Sequence, residues 1–561
     1  MLWKNNFIDD SLVEKKSIEW GISKILTRLL LKKQIVEKEE VEKFINPELS
    51  QLRDPFDFEN MEAAVLKIIE KRNSQEKIYI YGDYDVDGIS ATAFLVHVFR
   101  DIGIKTNYYI PNRMEENYGF DKKTADFMKS KKGKLVITVD IGANSIEDIR
   151  YAKSIGIDII VTDHHKAEKE EFDDEYILIN PKISKTYKFK YLSGAGVALK
   201  LAQGLYRKLG ISEENLYKYL DIIMIGTVAD VVPMADENRI IISNGLKVLK
   251  NTNVNGLFYL LKYLKFQHKK ITTTDVSYFI SPLINSLGRI GISKVGADFF
   301  IENDDFKIYN IIEEMKKMNK IRRKLEKKIF DEAIEIIESY TDGRQEKKIL
   351  IKSENWHPGV IGVVSSRLSI KYGVPVILIA ISKDIGKASC RSSNGINVFN
   401  IFVDMKENFI RFGGHDLAAG FVAKIEKLNE IEKIFSEKIN NLDKEKEQEI
   451  VEIDMKLSVN DINKELLEDM EKLSPYGLSN KQPLFLDENI EIKTIEKFGV
   501  ENRHFSGVLK KNNKEYSYIA FNLSNEIKNI KDLKNLSIVY YPERIVVKDK
   551  EKYNIRIKSI K

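Results

Sequence analysis

One stretch of the chain, Lys77–Arg100, joins a short apolar run to a longer apolar segment through an acidic turn. It reads KIYIYGDYDVDGISATAFLVHVFR, and the β-branched and aromatic residues Ile78–Tyr81 favour a strand. The segment that Gly88 opens has no proline and favours a helix. Between them lie carboxylates close enough to raise one another's pKa unless a cation neutralises them. Because hard divalent cations prefer carboxylate oxygen, we predict a metal site on this turn, formed by Asp83, Asp85 and Asp87.

Two other interpretations of the acidic turn compete with a metal site of this kind. The pattern D-x-D-x-D-G also opens an EF-hand calcium loop, which needs a preceding helix and a Glu at its twelfth position. Here a strand is predicted before the turn and Phe94 stands at the twelfth position, so we exclude the calcium loop. A solvated acidic turn is the second alternative, and the rest of the chain argues against it.

Composition limits the class of protein. A chain of 561 residues, 43% of them hydrophobic, is long enough for roughly two to four domains. Lys and Arg number 90 and Asp and Glu 85, so any nucleic-acid surface must come from local clustering of charge. A single cysteine excludes a disulfide framework and a zinc site with several thiolates. With no apolar leader and no run of about 18 apolar residues, we expect a soluble, cytoplasmic protein.

Further strands follow, and polar side chains come directly after them. The strands are predicted at Asn107–Ile110, Lys134–Val139, Asp158–Thr162 and Glu175–Ile179. Alternation of strands with helices predicts a parallel, doubly wound sheet, in which ligands bind at the carboxyl ends of the strands. Asp140 follows one of these strands, and Asp163, His164 and His165 follow another. We therefore expect them to meet the acidic turn at one edge of the sheet.

Two later segments offer further polar candidates. Asp230 follows an apolar helix predicted over Leu216–Ala229, and it is either a capping residue or a fourth carboxylate of the metal site. Asn285 and Arg289 lie in SPLINSLGRIG, which we interpret as an apolar, glycine-rich loop. Arg289 either binds a phosphate or carboxylate bidentately or has a structural role.

A segment without proline or glycine, Asp304–Ser339, has apolar residues at helical spacing and predicts one long amphipathic helix. A solvated polar face is the favoured interpretation of its basic residues, although the position between two domains leaves a nucleic-acid role open. These residues are Lys316, Lys317, Lys320, Arg322, Arg323 and Lys324.

A second α/β unit is predicted from Lys347 on, and it is rich in groups that suit phosphate oxygens. Glycine-rich backbone combined with hydroxyl, Arg and His side chains is typical of phosphate binding. The candidates are His357, Arg367, Ser389, Arg391, Ser392, Gly413, Gly414 and His415. We expect Cys390 to be buried packing rather than a nucleophile.

From Glu449 on, short strands alternate with turns, which predicts a small all-β barrel of the kind used by oligonucleotide-binding folds. Basic residues interleave with Tyr541 and Tyr553 near the end of the chain, an arrangement that suits single strands, although a basic edge strand explains it nearly as well. The basic residues are Arg544, Lys548, Lys550, Lys552, Arg556 and Lys558.

Five segments resemble, in order, the motifs of the DHH phosphoesterase superfamily and of its associated second domain. They are Asp83–Gly88 (DYDVDG), Val139–Gly142 (VDIG), Asp163–His165 (DHH), Gly226–Met234 (GTVADVVPM) and Gly413–His415 (GGH). SPLINSLGRI, WHPGVIGVVSSRL and the terminal β region are similar to the RecJ family within this superfamily, which consists of bacterial 5′-to-3′ exonucleases specific for single strands. The resemblance runs from roughly residue 50 to the end of the chain.

The resemblance implies an α/β protein with a parallel-sheet DHH domain, a long connecting helix, a smaller α/β DHH-associated domain and a C-terminal, OB-like β-barrel. The expected boundaries are 1–50 for an N-terminal helical lead-in that packs on the next domain, 51–303 for the DHH domain, 304–340 for the connecting helix, 341–448 for the DHH-associated domain and 449–561 for the barrel.

The resemblance also implies two manganese or magnesium ions. Their expected ligands are Asp83, Asp85, Asp87, Asp140, His164 and Asp230. His165 is expected to act near the scissile phosphate. Asp163 is expected to orient His164 without binding an ion itself. The expected phosphate- and strand-binding residues are Arg113, Asn285, Arg289, His357, Arg367, Ser389, Arg391, Ser392, Gly413, Gly414 and His415.

The implied function is two-metal hydrolysis of single-stranded DNA from its 5′ end, releasing nucleoside 5′-monophosphates, in DNA repair and recombination. Implied protein partners are a single-strand-binding protein and a RecQ-type helicase. One departure matters: the pyrophosphatase branch of the superfamily has a His four positions before the shared Asp85, and Tyr81 stands there. Asp83 would have to take the place of that histidine as a ligand, which favours the nuclease branch.

Three alternatives from other classes stay open at this point. Two are enzymes of the same superfamily with smaller substrates, an oligoribonuclease with phosphatase activity and a cyclic-dinucleotide phosphodiesterase, both of which lack a terminal β domain. The third is a scaffold without metal that resembles helicase-associated relatives, which have lost motif acids that are all present here.

Overall fold

A computed structural model describes residues 2–5, 8–113, 116, 119–167, 177–341, 347–393, 395–442, 450–499, 502–528, 533–547 and 550–561. The chain forms two compact units. One contains Met1–Arg53, Val231–Asn244 and Gln448–Lys561, and the other contains Asp54–Asp230 and Gly245–Glu447. Within the described ranges, no helix has both the length and the apolar character needed to cross a bilayer.

The N-terminal segment forms one strand and three helices. They are β1 (Leu2–Asn5), α1 (Asp10–Trp20), α2 (Lys24–Lys32) and α3 (Lys38–Ile45). Asp9 and Ser23 cap α1 and α2, because their side chains accept backbone N–H groups of the first turns. Leu26, Leu29 and Leu30 form the buried face of α2, as an amphipathic helix requires.

The second unit begins with a five-stranded sheet. Its strands are β2 (Ile78–Gly82), β3 (Thr106–Tyr109), β4 (Leu135–Val139), β5 (Asp158–Thr162) and β6 (Ile177–Ile179). All pairs are parallel and the order is β3-β2-β4-β5-β6, so the sheet predicted from the sequence is confirmed. Glu175 and Tyr176, at the start of the last predicted strand, lie outside the described residues.

Helices accompany this sheet along the chain. They are α4 (Met61–Asn73), α5 (Val86–Asp101), α6 (Lys122–Ser130), α7 (Ile146–Ser154), α8 (Gly194–Leu209), α9 (Glu214–Tyr217) and α10 (Leu220–Ala229). Every residue of β2 and β4 is buried, as expected for parallel strands covered on both faces. The helix predicted over Leu216–Ala229 is divided into α9 and α10.

A run of helices follows. They are α11 (Asp236–Lys250), α12 (Asn255–Tyr263), α13 (Thr273–Asp275), α14 (Ser281–Ile290), α15 (Lys294–Ile301) and α16 (Asp305–Thr341). The prediction of a loop over SPLINSLGRIG was wrong, because α14 occupies it. Pro282 lies in the first turn, where no N–H is needed, and Gly291 ends the helix in the left-handed conformation at φ +94°. The predicted long helix is confirmed as α16, with 37 residues.

A smaller sheet completes the second unit. Its elements are β7 (Ile349–Ser353), α17 (Ile361–Tyr372), β8 (Val376–Ser382), β9 (Ile385–Arg391), α18 (Val398–Val403), β10 (Arg411–His415), β11 (Ala418–Lys424) and α19 (Leu428–Asn440). The order is β10-β11-β9-β8-β7; β7 and β8 pair in parallel, and the other three pairs of these strands are antiparallel. Cys390 is fully buried, as predicted, and burial raises the pKa of its thiol to about 12.

The C-terminal part of the chain is a β-barrel with two helices. Its elements are β12 (Ile450–Ile453), β13 (Met455–Lys456), α20 (Lys464–Leu473), β14 (Phe485–Ile492), β15 (Glu496–Phe498), β16 (His504–Lys511), β17 (Lys514–Ala520), α21 (Ser524–Lys528), β18 (Leu536–Val547) and β19 (Lys550–Ile560). The order β14-β18-β19-β17-β16, with a further β14–β16 pairing, closes a five-stranded ring and confirms the predicted barrel.

The N-terminal segment belongs to the same unit as this barrel. β1 pairs in parallel with β12, with Leu2 opposite Ile450. The buried core continues from Leu30 of α2 through Leu466 of α20 to Tyr540 inside the barrel. The sequence indicated a lead-in that packs on the following domain, and it did not reveal this core shared with the other end of the chain.

Candidate metal centre

Three neighbouring strands of the large sheet end at the same level and carry the predicted polar residues. The last residues of β2, β4 and β5 are paired with one another. The next residues are Asp83, Asp140 and Asp163 respectively. The carboxyl ends of parallel strands meet at one edge, so the convergence expected from the sequence is present.

Backbone N–H groups hold each carboxylate of the acidic turn. Asp85 caps α5, and its Oδ1 accepts two N–H groups of the first turn at 2.9 and 3.1 Å. Asp87 accepts the N–H groups of Gly194 and Ala195, at the start of α8, at 2.6 and 2.9 Å. Asp83 accepts the N–H of the next residue at 2.7 Å. Two helix N-termini, which carry positive partial charge, thus fix Asp85 and Asp87 in place.

Asp140 is tightly confined beside the acidic turn. Its backbone has φ +62°, a left-handed conformation that Asp tolerates better than most residues. A Cβ on Gly194 would lie 2.5 Å from its Oδ1, so only glycine lets α8 approach this closely. Asp140 Oδ1 lies 3.0 Å from His164 Nε2, and both atoms are buried without a hydrogen-bond partner among the described residues. Buried polar atoms of this kind call for a ligand or ion.

The donor atoms form three overlapping sets, each with its atoms within 4.8 Å of one another. The sets are Asp83, Asp85 and Asp140; Asp87, His164 and Asp230; and Asp140, His164 and His165. Carboxylate oxygen combined with imidazole nitrogen suits divalent ions such as manganese. All six residues predicted as ligands occur in these sets, and their individual roles as ligands stay a prediction.

Four of these carboxylates have raised pKa values. Burial, and then the charge of Asp85, raises the pKa of Asp83 to about 8 and that of Asp87 to about 7. Burial, and then the charge of Asp87, raises the pKa values of Asp140 and Asp230 well above the usual range. Divalent cations among these groups would favour their ionised forms.

The metal-free protein is therefore expected to lose stability as the pH rises from about 4 to about 8. In this window the native carboxylates bind more protons than the unfolded chain, so deprotonation favours unfolding. The lowered pKa of buried His164 has the opposite effect. His164 is a single group, however, whereas four carboxylates have raised pKa values. Mn²⁺ should raise the Tm, and most strongly at the alkaline end, because it binds the folded protein with its carboxylates ionised.

Scanning calorimetry across this pH range, with and without Mn²⁺, measures both trends. A sodium chloride control at equal ionic strength separates binding from screening. A metal-free Tm that increases with pH, or a Tm that does not respond to Mn²⁺, would contradict the assignment of the cluster as a metal centre.

His165 is oriented by Asp163. The Nδ1 of His165 donates to Asp163 Oδ1 at 2.7 Å, and the same oxygen accepts the backbone N–H of His164. We expected Asp163 to orient His164, but its side-chain bond is with His165. Burial alone would lower the pKa of His165, yet the charge and hydrogen bond of Asp163 raise it to about 9. Burial opposes ionisation of Asp163, and the charge of His165 overcomes this and holds its pKa below the usual range.

Cations from three separate segments lie near one another, and one of them acts on the acidic cluster. The charge of Arg113 acts on Asp83. Arg289 on α14 donates to the carbonyl of Gly359 at 3.2 Å, and burial, followed by the charge of Arg113, lowers its pKa to about 10. Burial also lowers the pKa of Arg391 at the end of β9, and Arg113 adds to this effect. An anion between such cations would relieve their repulsion.

The GGH segment reaches the centre from the smaller sheet. Gly413, Gly414 and His415 are exposed at the end of β10. The ring of His415 stacks on that of His165, with the centroids 5.9 Å apart and an angle of 16°. The two predicted halves of the site therefore meet within one compact unit.

Other predicted phosphate-binding residues lie in the same part of the unit. Ser389 accepts a hydrogen bond from Arg391 at 3.0 Å. His357 accepts the N–H of Gly359 at 3.2 Å through Nδ1, and burial lowers its pKa. Ser392 is buried, with its N–H bonded to the carbonyl of Leu417 at 3.0 Å.

Two further residues predicted to bind phosphate, Arg367 and Asn285, lie on helices. The guanidinium of Arg367 lies 4.2 Å from the ring centroid of Phe330 on α16, which is a packing contact between helices. Asn285 is half-buried on α14, four residues before Arg289 and hence on the same helix face. The structure places Asn285 beside the cation group and does not bring Arg367 into it.

Sequence reasoning missed two residues that follow β6. Asn180 donates through its amide to the carbonyl of His165 at 2.9 Å. The charges of Asp230, Asp163 and Asp140 act on Lys182, whose pKa is lowered overall by burial. Both residues follow the end of a parallel strand, the same signal that identified the aspartates, so they could have been found.

Sequence profiles of three families match the chain in order. The profile of the DHH family, N-terminal domain, matches residues 77–227. That of the DHHA1 domain matches 346–441, and that of the RecJ OB domain matches 453–559. The three matched regions contain the acidic cluster, the GGH segment and the barrel respectively.

Curated relatives cover nearly the whole chain. The RecJ single-stranded-DNA-specific exonuclease of Bacillus subtilis is 33% identical over 526 residues, which are 93% of this chain and 66% of that protein, just under two thirds of its length. The RecJ exonuclease of Haemophilus influenzae is 29% identical over 553 residues, which are 94% of this chain and 95% of that one.

Solved structures agree with the sequence comparisons. RecJ of Thermus thermophilus in complex with Mn²⁺ matches with a TM-score of 0.84 at 21% identity, covering all of this chain and 79% of that one. An exonuclease RecJ bound to manganese matches with a TM-score of 0.60 at 26% identity over 70% of this chain and 97% of that one. The chain therefore belongs to the RecJ family of the DHH phosphoesterase superfamily.

Proposed function

We propose that the chain is a metal-dependent exonuclease specific for single-stranded DNA, which removes nucleoside 5′-monophosphates in the 5′-to-3′ direction. The observation that carries this proposal is the acid and imidazole cluster at the sheet edge. At its centre, Asp140 Oδ1 and His164 Nε2 are buried without a hydrogen bond among the described residues. Arg113, whose charge acts on Asp83, also lies near Arg289 and Arg391. Relatives named as single-stranded-DNA-specific exonucleases, over 93% and 94% of the chain, support the substrate class.

The side chains of the site would perform three tasks: binding the ions, binding the phosphates of the strand and, in the case of His165, acting on the scissile phosphate. The carboxylates and His164 would hold two Mn²⁺ or Mg²⁺ ions. Such ions, when bound, lower the pKa of water and neutralise charge on phosphate oxygens. Arg113, Arg289 and Arg391 would hold the phosphates by their charge. Phosphate contacts carry no base information, which a nuclease without sequence preference requires.

His165 would serve at the scissile phosphate. Asp163 holds its Nδ1, and Nε2 makes no hydrogen bond within the described part of the chain. A pKa raised to about 9 favours the cationic imidazole, protonated on both nitrogens, at neutral pH. It can therefore donate a hydrogen bond, or the proton itself, to an oxygen of the phosphate as the ester bond breaks. The ring of His415, stacked beside it, would limit the approach of solvent from that side.

The barrel would supply a further binding surface for the strand. Phe498, His504 and Phe521 form a ring cluster with centroids 5.0–5.7 Å apart, and the guanidinium of Arg556 lies 3.9 Å from the Phe521 ring. Aromatic faces beside a cation are typical of OB folds that bind single strands. Arg544 pairs with Glu471 at 3.3 Å, and Lys548 lies outside the described residues.

The function is tested by degradation of end-labelled DNA. We expect a 5′-labelled single strand to release labelled mononucleotide at once and a 3′-labelled strand to shorten gradually, both only with Mn²⁺ or Mg²⁺. Matched duplex DNA should be resistant. Faster turnover of dinucleotides than of long strands would indicate a small-substrate phosphodiesterase instead, and no hydrolysis of either would indicate a scaffold.

We also propose domain boundaries at residues 50, 303, 340 and 448 and a cytoplasmic location. The resemblance to the family further suggests partnership with a single-strand-binding protein and a RecQ-type helicase. Co-purification with each of these two classes of protein, in the presence and absence of DNA, tests the last of these.

A further inference from the structure

A basic groove runs along α16, outside the candidate metal centre. It has a volume of about 350 Å³, and five of its lining side chains are cations while none of the described lining residues is a carboxylate. The residues that matter here are Tyr263 of α12 and Lys316, Lys320, Arg323, Lys324 and Lys327 of α16. Lys316 pairs with Glu313 at 2.7 Å, but the other four cations make no ion pair with the part of the chain that the structure describes.

Exposed aromatic rings extend this groove toward the start of α16. Phe306 and Tyr309 precede Lys316 at spacings that place them on one helix face. Their side chains are 73% and 61% exposed, which is unusual for rings of this size. The ring of Tyr263 lies 4.6 Å from the ammonium of Lys316, so an aromatic side chain also lines the basic part. From Phe306 to Lys327 the face spans about 30 Å.

We propose that this face of α16 binds a stretch of single-stranded DNA, with phosphates along the basic groove and bases stacked on Phe306 and Tyr309. The proposal rests on the proposed exonuclease function, which supplies the strand. Aromatic platforms combined with a cationic groove are the features that bind single strands without sequence preference. An acidic protein segment would satisfy the cations, but it would leave the exposed rings without a role.

The face also lies close to the cations of the metal centre. Arg322, the neighbour of Arg323, is near enough to Arg289 for the two charges to interact. Arg322 itself is largely buried and is held by Glu326 at 2.5 Å, so it is not one of the cations that line the groove. One strand can therefore continue from the arginines of the centre onto α16, which would retain the substrate between successive cleavages.

Two double variants of the full-length chain test the proposal by fluorescence anisotropy in metal-free buffer, where no hydrolysis occurs. For Lys320→Ala with Arg323→Ala, we expect weaker binding of oligothymidylate of about 30 nucleotides, with a log–log salt slope smaller by about 1.4. For Phe306→Ala with Tyr309→Ala, we expect affinity to fall by roughly fivefold or more with an unchanged slope. Strands of about 5 nucleotides should bind both variants as they bind the wild type.

Lys406→Ala with Lys433→Ala is the matched control, since both lysines are exposed and unpaired within the described residues. The proposal is overturned if the control loses as much affinity as the groove variant, if long strands bind both variants normally, or if short strands are affected equally. It is also overturned if an acidic peptide displaces the strand while the aromatic variant binds normally. A wild type that binds long strands through this face but does not cleave them counts against the exonuclease function alone.

Discussion

Replacing Asp140 with Asn is expected to lower kcat by a factor of about 10³ or more, equivalent to about 4 kcal/mol of lost transition-state stabilisation. Asp140 belongs to two of the three donor sets, so its loss affects more than one ion position. Asn conserves the volume and tolerates the left-handed backbone at φ +62°, so the fold should be kept. Release of acid-soluble nucleotide with Mn²⁺ measures the loss.

Stability provides an independent readout for the same variant. Removing one buried carboxylate reduces the repulsion within the cluster, so metal-free Asp140→Asn should melt at a higher temperature than the wild type and respond less to Mn²⁺. Asp221→Asn is the control, because Asp221 is equally buried but bonds Thr252 and has a pKa raised to about 6 by burial. If Asp140→Asn keeps more than about a tenth of wild-type activity, the ligand set is wrong.

Replacing His165 with Ala is expected to reduce kcat by roughly 10²- to 10⁴-fold, the usual contribution of a proton-transferring side chain. The Mn²⁺-induced increase in Tm should persist, because the carboxylates of the other two donor sets remain. Steady-state kinetics on a labelled single strand, together with calorimetry, separates these effects. His268→Ala, at an exposed position, is the control.

Asp163→Asn tests how His165 acts. The charge of Asp163 raises the pKa of His165, so its removal should lower that pKa. If protonated His165 is the active form, activity falls as the pH rises through its pKa, and the variant should lose activity at a lower pH than the wild type. An alkaline limb at the same pH in both proteins, or wild-type turnover by His165→Ala, refutes the role of this pair.

Much of the candidate site was predictable from local pattern. The carboxylates after β2, the acid after β4 and the histidines after β5 each follow an apolar strand. Parallel strands bring their carboxyl ends to one edge whatever helices lie between them. The alternation of strands and helices predicted that sheet, and the long apolar repeat predicted α16, because both signals come from residues within one element.

The sequence-based predictions differed from the structure where a local sequence pattern was ambiguous or where the outcome depended on tertiary contacts. Asn285 and Arg289 were assigned to a loop because proline and glycine suggest turns, whereas Pro282 and Gly291 mark the two ends of a helix. The pairing of Asp163 with His165 rather than with His164 depends on how side chains turn at the end of β5, which residue order does not reveal.

By itself, the sequence determined the elements, the order of the motifs and the chemistry of the donors, since these follow from propensity, periodicity and residue type. Only the tertiary structure decided which donors meet, that β1 pairs with β12, and that Phe306 and Tyr309 remain exposed beside the basic groove of α16. The physical reason is that packing between segments far apart in the chain depends on many weak contacts. Those contacts involve several segments at once, so they cannot be inferred from any one stretch of residues.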